Sequence, residues 1–198
     1  MNNESLPVTL ILASSSKYRR RLLQRLGVSF EYQSPDIDES ANINELPHEL
    51  VARLAMQKAQ SVSLQQPHAI VIGSDQIAVF DGQVVGKPGE RQAAIEQLCA
   101  FSGKTVEFLT SVSVQSRHSG FSERHTDTTE VRFRQMRKNE ITRYVDKEQA
   151  FNCAGSFKAE SLGIVLFDSI RSEDPTALIG LPLIRTSAML RQAGLKLP

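Results

Sequence analysis

The 198-residue sequence has no tryptophan, two cysteines and four histidines. No apolar run in it approaches the roughly 18–20 residues that span a bilayer. Each scarcity excludes a class of protein. Cys99 and Cys153 form no CxxC pair, which argues against a zinc knuckle and a disulfide framework; two isolated thiols suit a reducing cytoplasm. His48, His68, His118 and His125 have no His or Cys neighbour at ligand spacing, so neither a zinc hydrolase nor a His-relay nucleophile is favoured. A GxSxG elbow and a GxxxxGK[ST] phosphate loop are both missing. Charge of one sign is missing too: 23 Lys and Arg against 22 Asp and Glu leave a net +1. A binder of nucleic-acid polymers ordinarily carries a clear basic excess. The polar leader, residues 1–7, has neither a basic start nor a cleavage-like site and does not read as a signal peptide. The expectation is a cytoplasmic protein without a membrane or polymer partner.

Forty per cent hydrophobic residues are enough for one core, or for two small lobes sharing a cleft. Residues 8–13 and 69–75 read as buried strands, the second ending in a Gly-Ser-Asp corner. The segment 76–88 reads as a hairpin turning at Asp81-Gly82. Helical periodicity marks 17–26, 47–64 with Pro47 in its first turn, 89–101, 138–149 and a last helix opened by Pro182. Segments 28–35, 104–116, 124–136 and 163–167 read as further strands, with a turn at 117–121. Strands and helices alternate early and antiparallel-looking strands fill the middle. This predicts a mixed α/β fold, a single domain over 8–198 with two lobes.

Chemistry gathers in a few places. Between the first strand and the first helix lie Ser14, Ser15 and Ser16, followed by Lys17, Tyr18 and Arg19. A helix N-terminus with hydroxyls and a guanidinium suits phosphate; Arg20, Arg21 and Arg25 read as a solvated face. Asp75 can bind a divalent metal, orient a water or cap a turn, with Gln76 following it. Three carboxylates in residues 36–39, including Glu39, offer either the oxygen chemistry of Mg²⁺ or a solvated acidic loop. Lys58 and Lys87 are either solvated or point charges for a phosphate. Lys158 and Glu160 flank a glycine loop, and Asp174 precedes a proline and an apolar turn. Carboxylates, lysines and a phosphate-ready turn together point to metal-assisted attack of water on a phosphoanhydride.

The motifs LASSSKYRRRLL, PDIDE, Lys58 in AMQKAQ, GSDQ, GKP, AGSFKAE and IGLPL stand in the order found in the Maf family of nucleotide pyrophosphatases, which the chain resembles over about residues 8–195. The resemblance implies hydrolysis of a nucleoside triphosphate to the monophosphate and pyrophosphate, with a divalent cation (Mg²⁺, Mn²⁺ or Co²⁺). It also implies a long twisted sheet flanked by helices, a deep cleft between two lobes, and in several members a homodimer. By this likeness Asp75 activates water and Glu39 helps hold the metal. Ser14, Arg19, Lys58 and Lys87 contact phosphate, Lys158 adjoins the specificity loop, and Asp174 supports the site. Tyr18, Gln76 and Glu160 resemble the branch acting on 7-methyl-GTP rather than the branch acting on dTTP and UTP. Lys17 stands where the family usually has proline, and Ser161 where it often has glycine. The alternatives are a broader base preference (UTP, dTTP, GTP) and a non-enzymatic, septum-related nucleic-acid module.

Overall fold

The structure is a computed structural model describing residues 9–197; the expected leader, residues 1–7, lies outside them. Among the described residues, one mixed sheet of seven strands is flanked by five α-helices. The strands are β1 (Leu10–Ala13), β2 (Glu31–Gln33), β3 (Ile70–Phe80), β4 (Gln83–Val85), β5 (Thr105–Ser116), β6 (Phe121–Phe133) and β7 (Phe167–Arg171). The helices are α1 (Lys17–Gln24), α2 (Pro47–Gln65), α3 (Arg91–Phe101), α4 (Lys138–Glu148) and α5 (Leu183–Gln192). Strand order is β2-β1-β3-β5-β6-β7, with β4 also on β3. β1 is parallel to β2 and β3, and the remaining pairs are antiparallel.

Alternation along β3 sorts its side chains to two faces. Val71, Ile77 and Val79 lie under α2, packed with Val51, Leu54, Ala59 and Val62. Gly73 lets α2 come close: a Cβ there would lie 2.3 Å from the Ala55 carbonyl oxygen and 2.5 Å from the Ala59 nitrogen. On the opposite face the apolar residues divide. Ile70 and Ile72 join Leu22 and Leu23 of α1 and Met189 and Leu190 of α5. Ala78 joins Leu98 and Phe101 of α3, Ile141 and Val145 of α4, and Phe133. Between these two cores the sheet is polar: Ser74 and Gln76 on β3 and Thr110 on β5 are bridged by hydrogen bonds to the carbonyls of Ala177, Leu178 and Gly180. Two apolar cores thus lie on one face, separated by a polar band.

The same region of β3 has an open edge. β1 pairs with it only over Ile70–Gly73 and β4 only over Ala78–Phe80. Residues 74–77 therefore have a strand partner on the β5 side alone. Asp81 and Gly82, with φ of 49° and 76°, make the expected tight turn into β4.

Several expectations need correction. No corner follows Asp75: β3 runs on to Phe80 because the β5 ladder continues unbroken from Val71–Gln115 to Val79–Glu107. Asp75 and Gln76 are thus mid-strand and point to opposite faces. Segment 163–167 is mostly a 3-10 turn, Leu162–Leu166, and the strand starts only at Phe167. There the Gly163 N–H donates to the Lys158 carbonyl, and Ile164 and Val165 are exposed, so the run does not alternate. Arg20 is not simply solvated; its guanidinium lies 4.2 Å from the centre of the Tyr32 ring on β2.

Candidate active site

The open edge of β3 forms the floor of a cleft with a cavity of about 340 Å³. The turn after β1 and the start of α1 form one wall, and the segments around Asn152–Glu160 and Leu178–Gly180 form another. Ser14, Tyr18, Arg19, Glu39, Lys58, Asp75, Gln76, Lys87, Lys158 and Glu160 all line it. Asp174 does not. It is buried behind the cleft, where its carboxylate accepts hydrogen bonds from the Thr176 backbone and hydroxyl and from the Ile184 N–H. It fixes the approach to α5 and hence the segment carrying Gly180.

The turn after β1 is organised by its own hydroxyls. Ser14 Oγ accepts from the Ser16 N–H at 3.1 Å, and Ser16 Oγ caps α1 by accepting from the Arg19 N–H at 3.4 Å. With that cap in place, Lys17 takes the first helical position that proline usually fills. Arg19 donates Nε to the Gly180 carbonyl at 2.8 Å, which anchors the guanidinium and leaves its terminal nitrogens free of that bond. Burial pulls the Arg19 guanidinium below its ordinary value, and the charges of Asp75 and Glu39 oppose that pull.

At the floor, Lys58 from α2 bridges two carboxylates. Its Nζ is 2.6 Å from Asp75 Oδ1 and 2.7 Å from Glu39 Oε1. Lys58 and Asp75 are buried, whereas the Glu39 side chain is 56% exposed. Partial burial disfavours the charged Glu39, but the Lys58 hydrogen bond and the charges of Lys58, Lys87 and Arg19 outweigh it and hold the carboxyl below its usual value. The loop bearing Glu39 is itself held. Arg53 donates twice to Glu45, at 2.6 and 2.7 Å, and once to the Ser40 carbonyl.

Two carboxylates converging on one ammonium are also two oxygen donors converging on one positive centre. That set fits a hard divalent cation. Among the described residues, no group of three His, Cys, Asp or Glu could hold a metal.

Gln76 lies across the sheet from Asp75. Its amide nitrogen donates to Thr110 Oγ1 and to the Ala177 and Leu178 carbonyls, each at 3.0 Å. Carbonyls only accept, so the amide orientation is fixed and Oε1 is the atom left for a ligand. Tyr18 is half-buried beside Cys153, with Lys17 Nζ 5.3 Å from its ring centre. Burial pushes its phenol up, Cys153 and Glu160 add to this, and Lys158 opposes it. Ser161 has φ −133°, a region open to any residue, so replacing glycine introduces no strain there. Five cationic side chains line the cleft against three carboxylates, a local excess suited to a polyanion.

Residues 9–193 match the family described as "Maf-like protein". The chain belongs to this family. Similar curated proteins include the "7-methyl-GTP pyrophosphatase" of Alcanivorax borkumensis, 51% identical and covering 96% of each chain. The protein of the same name from Albidiferax ferrireducens is 48% identical over 98% of each chain. That of Xanthomonas oryzae pv. oryzae is 53% identical over 96% of this chain and 98% of its own. Among solved structures, that of the Staphylococcus aureus Ham1 protein is partly similar, with a TM-score of 0.46 at 14% identity over 63% of this chain and 71% of that one.

Three features of this Maf-like cleft had no signal in the sequence reading: the Gly180 carbonyl holding Arg19, the Arg53–Glu45 brace, and the involvement of Asn152 and Cys153 in the lining. Asp81-Gly82 shows what a legible signal looks like; none of these three carries one.

Proposed function

We propose that the chain hydrolyses the α–β phosphoanhydride of a nucleoside triphosphate, with 7-methyl-GTP preferred, releasing 7-methyl-GMP and pyrophosphate. The observation that carries the chemistry is the meeting of Asp75, Glu39 and Lys58 on the cleft floor, with Arg19 and Lys87 on the same cleft. Relatives about half identical over nearly the whole chain bear the name of that activity.

Lys58 bonds Oδ1 of Asp75, which leaves Oδ2 to accept a proton from the water that attacks the α-phosphorus. Asp75 and Glu39 are the residues to hold a divalent cation, which when bound supplies Lewis-acid polarisation of phosphate oxygens. Arg19, the Ser14 turn and Lys87 orient the phosphate chain, and their charges offset that of the departing pyrophosphate. Arg19 meets it from a pre-anchored position, so little is spent on ordering its long side chain.

The base end is richer in acceptors than donors. Gln76 offers Oε1 and Glu160 offers a carboxylate. The N1–H and N2–H₂ edge of guanine presents adjacent donors to such a pair. N7-methylation adds a delocalised positive charge that favours the Tyr18 ring face and Glu160 together. Uracil and thymine present a single N–H between two carbonyls and would set an oxygen against those acceptors.

The deciding experiment compares 7-methyl-GTP, GTP, UTP and dTTP side by side, with the products separated. The expected result is 7-methyl-GMP plus pyrophosphate and the highest kcat/KM for the methylated nucleotide. Single orthophosphate release would sink the chemistry, and equal kcat/KM across the four would sink the base preference.

A further inference from the structure

Glu148, the last residue of α4, takes no part in the chemistry above, yet it is the anchor of the segment that carries Glu160. Its Oε1 accepts from Lys158 Nζ at 2.8 Å, and its backbone carbonyl accepts from the same ammonium at 3.0 Å. Its Oε2 accepts from the Ser161 hydroxyl at 2.9 Å and from the Leu162 N–H at 3.0 Å. One carboxylate thus ties down the residues on both sides of Glu160. The side chain is 7% exposed, against 21% for Lys158. Burial works against the Glu148 charge, but the bonds from Lys158, Ser161 and Leu162 outweigh it and hold the carboxyl below its usual value.

The loop is closed from within as well. The Ser161 and Gly163 N–H groups both donate to the Lys158 carbonyl, and a Cβ on Gly163 would lie 2.4 Å from that oxygen. Such a loop has one way to sit, and Glu148 sets where. Glu160, exposed at the tip between the anchored residues, is aimed into the cleft from this base. The Lys158 ammonium faces Glu148, where it is doubly bonded, so its part is to brace the loop. Ser161 in place of glycine adds one of the braces.

We infer that Glu148 is a positioning residue for base selection: it acts through the 158–162 loop to hold Glu160 against the nucleotide base. This rests on the proposed reading of Glu160 as a base-contacting carboxylate. A loose loop costs little in phosphate chemistry, which is held by the β1–α1 turn and α2, but it costs the geometry on which discrimination depends.

The test uses the full chain and its Glu148→Gln, Glu148→Asp and Ser161→Ala variants. The same four nucleotides are the probes, and amide hydrogen exchange over 158–163 is the independent readout. Glu148→Gln removes the charge that binds Lys158. The expected result is a KM for 7-methyl-GTP raised by about tenfold with kcat for UTP held within about twofold, and faster exchange at Leu162 and Gly163. Glu148→Asp keeps the charge and restores part of the preference. Ser161→Ala, which loses one brace and folds without difficulty, gives a smaller loss in the same direction. Unchanged discrimination in Glu148→Gln, or in Ser161→Ala if the former does not fold, overturns the inference. So does a uniform drop in kcat on all four nucleotides, which would mark a merely structural role. A parent chain without base preference sinks the functional reading and this inference together; a selective parent with equally selective variants sinks this inference alone.

Discussion

Lys58→Met tests the cleft floor most directly. The substitution keeps the aliphatic stem and deletes the ammonium that sits 2.6 Å from Asp75 and 2.7 Å from Glu39. Deleting one partner of a buried pair costs about 3–5 kcal/mol, because a carboxylate is left buried without its counter-charge. The lower end applies here. Glu39 is more than half exposed, so its share is that of a surface pair, and Arg19 still faces Asp75 electrostatically. A loss of about 3 kcal/mol corresponds to roughly 6–12 °C in Tm for a chain of this length. Thermal unfolding in chelator measures it. Adding Mg²⁺ then supplies a replacement cation, and at about 100 times its Kd this restores roughly 2.7 kcal/mol. The variant should therefore gain more from Mg²⁺ than the parent, in which Lys58 competes for the same oxygens. Combining Lys58→Met with Asp75→Asn should cost less than the sum of the two. A fall of under about 2 °C in chelator, or an equal Mg²⁺ response in parent and variant, would refute the argument that these two carboxylates share one cationic position.

Gly73→Ala places a methyl against the backbone of α2, which cannot yield as a side chain would. The expected loss is at the upper end of about 1–3 kcal/mol, seen as a lower urea midpoint at unchanged m, and an unshifted midpoint would deny the close approach. At Glu45, hydrogen bonding to Arg53 is the main cause of a carboxyl pulled from 4.5 to about 2. Its folded value is depressed, so in this window the unfolded chain binds the extra proton and stability rises with pH. The contribution is complete above the unfolded value and is lost as pH falls towards about 2. Glu45→Gln should flatten the change in urea midpoint between pH 5 and 3; parallel slopes in parent and variant would rule the brace out.

How much was legible depended on whether the signal was local. The Asp81-Gly82 turn, Pro47 at the start of α2 and the all-apolar β1 follow from residue type alone. The ten residues brought to one cleft come from six separate stretches of chain, and motif order anticipated that gathering better than periodicity did. The end of β3 was misplaced because Gly73, Ser74 and Asp75 look like a turn in one dimension. Only the neighbours reveal otherwise: α2 demands the glycine, and β5 supplies the ladder that carries the strand onward. Segment 163–167 misled for the converse reason, since its β-branched residues are tethered by a backbone bond from Gly163 to Lys158. Glu148 carried no signal at all. A glutamate ending an amphipathic helix reads as solvated, and the three groups that donate to its carboxylate lie 10 to 14 residues further on.

The gap between β1 and β4 has a consequence beyond the active site. An unpaired strand edge normally invites another polypeptide to add itself, which is the first step towards aggregation. Here the vacancy is four residues long, from Ser74 to Ile77, and each end is already occupied by a strand of the same molecule. An incoming chain long enough to form a stable ladder would collide with β1 or β4, whereas something the size of a single nucleotide would not. The sheet has thus kept an opening for small guests by making it too narrow for its own kind.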